Sequence, residues 1–157
     1  MHNIKSGDLI VWNRESGIYS TLIKIATLSE FTHVGIAVEE DDGIYIIEAL
    51  PPVVRKIKMD LRTPFMYIPM NVEFDAFDYE YLHSFIGRRY SKLQAVLSLL
   101  DIYINDDKWY CTEMAYEYYD RHKMDLNIDK HLTPTRFVDS ILYQSNKSLI
   151  AVNKISN

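Results

Sequence analysis

The sequence predicts an α+β fold, a small antiparallel β-sheet or barrel packed against helices. Three observations lead there. Between residues 8 and 70, short β-branched or aromatic runs alternate with turn residues, as the strands of an antiparallel sheet do. From Asp75 onward, apolar residues recur at the spacing of amphipathic helices. The acidic, glycine-bearing stretch EEDDG (39–43) divides two β-rich runs, which is a hairpin signature. A chain of 157 residues can bury one substantial core and is short for two. Residues 1–157 are therefore taken as one domain.

The elements follow in order. DLIVW (8–12) comes after a Gly-Asp turn and reads as a buried strand. SGIYSTLIKIATLSE (16–30) sets Ile18, Leu22, Ile25 and Ala26 at helical spacing, for a helix of roughly three turns. FTHVGIAV and IYIIEAL are the strands of the hairpin. VVRKIKM and FMYIPM are further strands, the second bounded by Pro64 and Pro69, which suit a strand edge or end. Phe77, Tyr81, Leu82, Phe85 and Ile86 form one stripe of a helix, with Gly87 as its C′ residue. SKLQAVLSLLDIY repeats the pattern through Leu93, Val96, Leu97 and Leu100. TEMAYEYYDRH is a third helix of this region, and TPTRFVDSIL opens with Thr133 as N-cap and Pro134 in the first turn. LIAVNKI ends the chain as a last strand.

Composition excludes several function classes. A net charge of −5 offers no basic footprint for nucleic acid, whose binding relies on clustered Lys and Arg. A single cysteine cannot form an internal disulfide and fits a reducing compartment. MHNIKSGDLIVWNRESG lacks the unbroken apolar run of a signal peptide. No stretch approaches the roughly 20 apolar residues that span a bilayer. The expectation is a soluble, cytoplasmic protein without stable membrane insertion, its oligomeric state open. The histidines at 2, 33, 83, 122 and 131 show neither HExxH nor a CxxC partner set, so no metal site and no cofactor are expected. EEDD reads as a solvated turn rather than a Ca²⁺ loop.

Three residues carry chemistry. In strand 32–38, Val34, Ile36 and Val38 share one face, and His33, Gly35 and Ala37 the other. If Glu39 to Asp42 form a four-residue loop, Val38 sits opposite Gly43 and His33 directly across from Glu48, within reach of it. A slip of one residue would turn Glu48 away. A carboxylate inside IYIIEAL needs a partner, because burying it unpaired costs several kcal/mol. Cys111 stands just before TEMAYEYYD, where unpaired N–H groups and the positive end of a helix dipole favour thiolate, the reactive form. A lone cysteine is ordinarily a small core residue and a lone strand histidine ordinarily structural. The combination points instead to a nucleophile, Cys111, a base, His33, and an orienting carboxylate, Glu48.

The segments SGDLIVW, FTHVGIAV, YIIEAL, GRRYSKL, WYCTEM and LTPTRF fall in the order and approximate spacing found in the circularly permuted NlpC-type, papain-like hydrolases. The chain resembles most closely the YiiX/YebB-like group, over roughly residues 5 to 137. The resemblance implies a circularly permuted papain-like fold whose active site lies in a cleft between sheet and helices. It makes His33 in THVGI the base, Glu48 in IEA the third polar residue and Cys111 in YCTE the nucleophile. Tyr90, Tyr110 and Thr112 are the candidates to line the substrate pocket. Two departures are Thr112, where serine is commoner, and Arg88 with Arg89, where a small residue and proline are usual. Relatives include cell-wall peptidases, lipid-acting acyltransferases of the lecithin:retinol type and poxvirus proteins.

The expected function is a cysteine hydrolase, peptidase- or amidase-like, that cuts an amide or peptide bond through an acyl-enzyme. A lipid ester or thioester acyl hydrolase or acyltransferase is the first alternative. A catalytically idle module that binds a ligand or partner in the same cleft is the second.

Overall fold

The structure is a computed structural model that describes residues 3–13, 30–60, 64–97, 102, 107–122, 124, 132–145 and 147–152. Six strands, β1 (Leu9–Asn13), β2 (Phe31–Glu40), β3 (Gly43–Leu50), β4 (Val53–Lys58), β5 (Phe65–Ile68) and β6 (Ile150–Val152), form one antiparallel sheet in the order β4-β3-β2-β1-β5-β6. The sheet is open, with β4 and β6 at its edges, so the sheet alternative is realised rather than the barrel. The described helices are α1 (Ala76–His83), α2 (Lys92–Leu97), α3 (Cys111–Arg121) and α4 (Pro134–Ser145). The helix expected over 16–30 lies outside the described residues.

Three of the described helices, α1, α2 and α4, start where their sequence offers a cap. Asp75 and Asp78 form a reciprocal capping box on α1, each side chain accepting from the other's backbone N–H at 3.0 Å. The Ser91 hydroxyl accepts from Gln94 N–H at the start of α2. Thr133 Oγ1 faces Arg136 N–H at 3.4 Å, just ahead of Pro134.

Helices α3 and α4 cover one face of the sheet, where Leu9, Val11, Val34, Ile36, Ile47 and Ala49 meet Met114, Ala115, Phe137 and Ile141. Burying each large side chain of this set favours the fold by about 1.5–3 kcal/mol. The other face is covered too. Ile4, Ile10, Trp12, Ala37, Ile46, Phe65, Tyr67 and Val152 form a second buried layer. The face that carries His33 is thus a core face as well.

Two expectations are corrected. The hairpin loop is two residues, Asp41 and Asp42, and the opposed pairs are Ile36–Ile47, Val38–Tyr45 and Glu40–Gly43. The ladder is shifted by two residues from the four-residue loop, so His33 does not lie directly across from Glu48. Cations on β4 make the tighter turn affordable: Lys56 pairs with Glu40, and Lys58 reaches Asp42 at 2.8 Å. Two-residue loops are also the commonest hairpin connection.

The stripe on α1 is the second correction. The helix stops at His83 with Ser84 as C-cap, and Asp78, Leu82 and Phe85 are the buried positions, while Phe77 and Ile86 are exposed. Gly87, at φ +85°, lies past the C-cap, where its N–H donates to Val54 O in the turn that returns to β4. It is not the C′ residue of α1.

Candidate active site

A two-residue slip preserves the side on which each residue points. His33 and Glu48 therefore still share a face, now as diagonal neighbours. Such neighbours stand farther apart than opposed ones but stay within reach of long side chains. The ladder between β2 and β3 ends at Ile36–Ile47, and Gly35 follows without a side chain. A Cβ there would lie 2.6 Å from Ile46 Cγ2 and 3.3 Å from Glu48 Cβ. Glycine at 35 leaves the room through which the two side chains approach. His33 Nε2 and Glu48 Oε2 are 2.9 Å apart, with both residues buried. The ring packs on Trp12, centroid to centroid 5.1 Å.

The thiol arrives from a separate part of the chain. Residues 87–90 run beside the start of β4: Gly87 N–H donates to Val54 O, Val54 N–H to Arg88 O, and Tyr90 N–H to Pro52 O. Trp109 then bonds to the far side of this segment, its N–H to Arg89 O and its O from Ser91 N–H. Tyr110, extended at φ −124° and ψ 172°, is the N-cap of α3, and Cys111 is the first helical residue. No hydrogen bond from the Tyr110 side chain caps the helix, so that side chain takes up none of the first-turn N–H groups beside the sulfur. The start of α4 fixes the other strand of the site, because Phe31 N–H donates to Thr135 Oγ1 at 2.9 Å, two residues before His33.

These two assemblies meet at the imidazole. Cys111 lies near enough to the His33 ring for its thiol to act on the imidazole's protonation. Burial pulls His33 toward the neutral ring, but the hydrogen bonds and charges of Cys111 and Glu48 outweigh it and hold the imidazole up at about 9. Burial likewise pushes Glu48 upward, and the His33 and Arg55 contacts more than reverse this, leaving its carboxyl below the usual range. Imidazolium and carboxylate are the forms this geometry favours at neutral pH.

The other expected residues divide. Tyr90 is half-buried, and burial together with the charge of Cys111 lifts its phenol above the ordinary range. Tyr110 is 1% exposed and packs in the interior. The Thr112 hydroxyl is spent on Leu132 O at 2.6 Å, tying α3 to the segment before α4. Sequence reasoning missed Arg55. Its Nε and Nη2 donate to Glu48 Oε1 at 2.9 and 2.8 Å, and its side chain is 45% exposed. The signal was there: a tight turn at Pro51–Pro52 pairs Leu50 with Val53 and hence Glu48 with Arg55.

The fold has a solved counterpart. YiiX from Escherichia coli O157:H7, described as a metalloprotein, is similar to this chain at a TM-score of 0.52 and 20% identity. The likeness covers 74% of this chain and 65% of that one, so the chain spans about two thirds of its counterpart's length. No protein-family model matches the sequence, and no curated protein matches it. The likeness to YiiX is one of fold. Among the described residues, no helix is long and apolar enough to cross a membrane.

Proposed function

We propose that the protein is a thiol hydrolase of the permuted papain-like kind that cleaves an amide or peptide bond through an acyl-enzyme. The observation that carries this reading is one imidazole shared between a helix-start thiol and a buried carboxylate. His33 takes the proton of Cys111, and the sulfur adds to the substrate carbonyl carbon. The oxyanion meets the first-turn N–H groups of α3 and the Tyr90 phenol. As the intermediate collapses, the C–N bond breaks and His33 hands its proton to the departing amine. Water then gives a proton to His33 while its oxygen attacks the thioester. The C–S bond breaks, and the acid and the free thiol are regenerated. Glu48 holds the ring in the useful tautomer throughout.

The word metalloprotein describes YiiX. Among the described residues no three His, Cys, Asp or Glu side chains are grouped to hold a metal ion. One observation favours a second reading, a fold that binds a ligand without turnover: Cys111 is only 5% and His33 1% exposed.

Mass spectrometry with an activated acyl ester tests the first reading directly, because the chain has one cysteine. Wild type should form an acyl adduct on Cys111 that disappears with time. Cys111→Ala should form none, and His33→Ala should react about 100-fold more slowly. Ester cleavage that survives Cys111→Ala overturns the hydrolase reading, and an adduct that never turns over favours the second.

A further inference from the structure

Glu48 is fully buried, and a buried carboxylate beside an imidazole has two ways to exist. It can remain an ion pair with imidazolium, or it can take the proton and leave two neutral groups, which low dielectric favours. The neutral pair is useless to a thiolate, because the ring beside the sulfur then carries no charge. Something has to tip the balance. Among the described residues, the titratable groups that bear most on Glu48 include His33 from β2 and Arg55 from β4, and those that bear most on His33 include Cys111 from α3 and Glu48.

We propose that Arg55 is a positioning residue for the Cys111–His33 pair, acting through Glu48: two of its N–H groups engage Oε1, keeping the carboxylate anionic and presenting Oε2 to the imidazole. This rests on the thiol hydrolase reading and names a fourth member of its site. The geometry supports it on three counts. Both contacts fall on the one oxygen that His33 does not use, so turning the carboxylate would break both. Glu48 and Arg55 are directly opposed in the β3–β4 ladder, so the backbone sets the pairing. And β4 is an edge strand, which lets the guanidinium stay half in water while its N–H groups reach inward. A guanidinium does not lose its charge there, whereas a lysine would offer one point charge in place of the fork. The row from imidazole to surface alternates in charge: imidazolium, carboxylate, guanidinium.

Alkylation of the lone cysteine by iodoacetamide, followed by mass spectrometry across pH, tests this without a natural substrate. In Arg55→Met the acid limb of the rate profile should move up by about one pH unit, because the carboxylate loses a cation, so that the rate at a pH on that limb falls about tenfold. Arg55→Lys should recover most of the shift. In a Glu48→Gln background, Arg55→Met should change nothing further. Thermal melts confirm which variants are folded, and Arg55→Gln, which keeps donors without charge, replaces the methionine variant if that one does not fold. An Arg55→Met profile that superimposes on a fast wild type overturns the proposal for Arg55 alone, as does a further loss in the Glu48→Gln background. A wild type no faster at neutral pH than His33→Ala overturns the hydrolase reading, and the role of Arg55 falls with it.

Discussion

Among the buried carboxylates of the described residues, Asp8 and Glu48 are served in opposite ways. Asp8, just before β1, is 4% exposed and accepts backbone N–H groups from Lys5 and from Met70, each at 2.9 Å. Burial prevails there and raises its carboxyl above the ordinary range. Glu48 is 0% exposed yet held below the ordinary range by an imidazole and a guanidinium. The surroundings of Asp8 are a structural joint. The Tyr119 hydroxyl donates to Gly7 O, and Lys147 Nζ donates to Pro69 O and Met70 O, so β1, α3 and the end of β5 are tied together there. The contrast teaches that burial alone does not mark a reactive site. Two backbone donors and the charges of Lys5 and Lys147 leave Asp8 raised by burial, whereas the imidazole and guanidinium bonded to Glu48 hold it charged beside a second ionising group.

The largest expected effect separates the two directly. Glu48→Gln should slow neutral-pH alkylation of Cys111 about tenfold or more, through loss of the imidazolium. Asp8→Asn should leave that rate unchanged and lower the melting temperature by about 6 °C, because its amide N–H₂ would confront one of the two N–H donors at a cost of about 2 kcal/mol. Equal slowing in both variants would break the comparison.

A smaller effect lies in the pH dependence of stability. His33 sits at about 9 in the fold against 6.5 unfolded. Its contribution is therefore complete below 6.5 and lost as pH rises through about 9. Glu48 sits below 4.5 in the fold, so its contribution is present above 4.5 and lost as pH falls through the folded value. Asp8 has the reverse sign. Its folded value lies above 3.8, so acidification through that value returns stability. Denaturant melts from about pH 2 to 10 should show Glu48→Gln removing part of the acid-side loss and Asp8→Asn steepening it. The same slope in all three proteins would show that neither carboxylate is perturbed as described.

Much of this arrangement was legible in the amino-acid order. β1 to β5 fall on the β-branched runs between turn residues, and α3 begins at Cys111, where an aromatic pair gives way to helical spacing. The side on which His33 and Glu48 point was legible because parity survives an even slip. Their register was not, since the loop length depends on Lys56 and Lys58, which reach the acidic turn from a different strand. Arg55 required the register of a second hairpin, set by Pro51 and Pro52. The second buried layer draws Ile4 and Val152 from opposite ends of the chain, and no local pattern announces such a contact. The barrel alternative turned on strand closure, and the order of edges is a tertiary outcome.

The account turns on His33 being held between Cys111 and Glu48. Nitrogen-15 NMR of the imidazole measures this most directly, with the His33 signals assigned by comparison with His33→Ala. The ring should titrate near 9 in the wild-type protein, and in Cys111→Ala its midpoint should drop by a unit or more as the thiol's hydrogen bond and charge are removed. A His33 ring that titrates at the same pH in both proteins would contradict it.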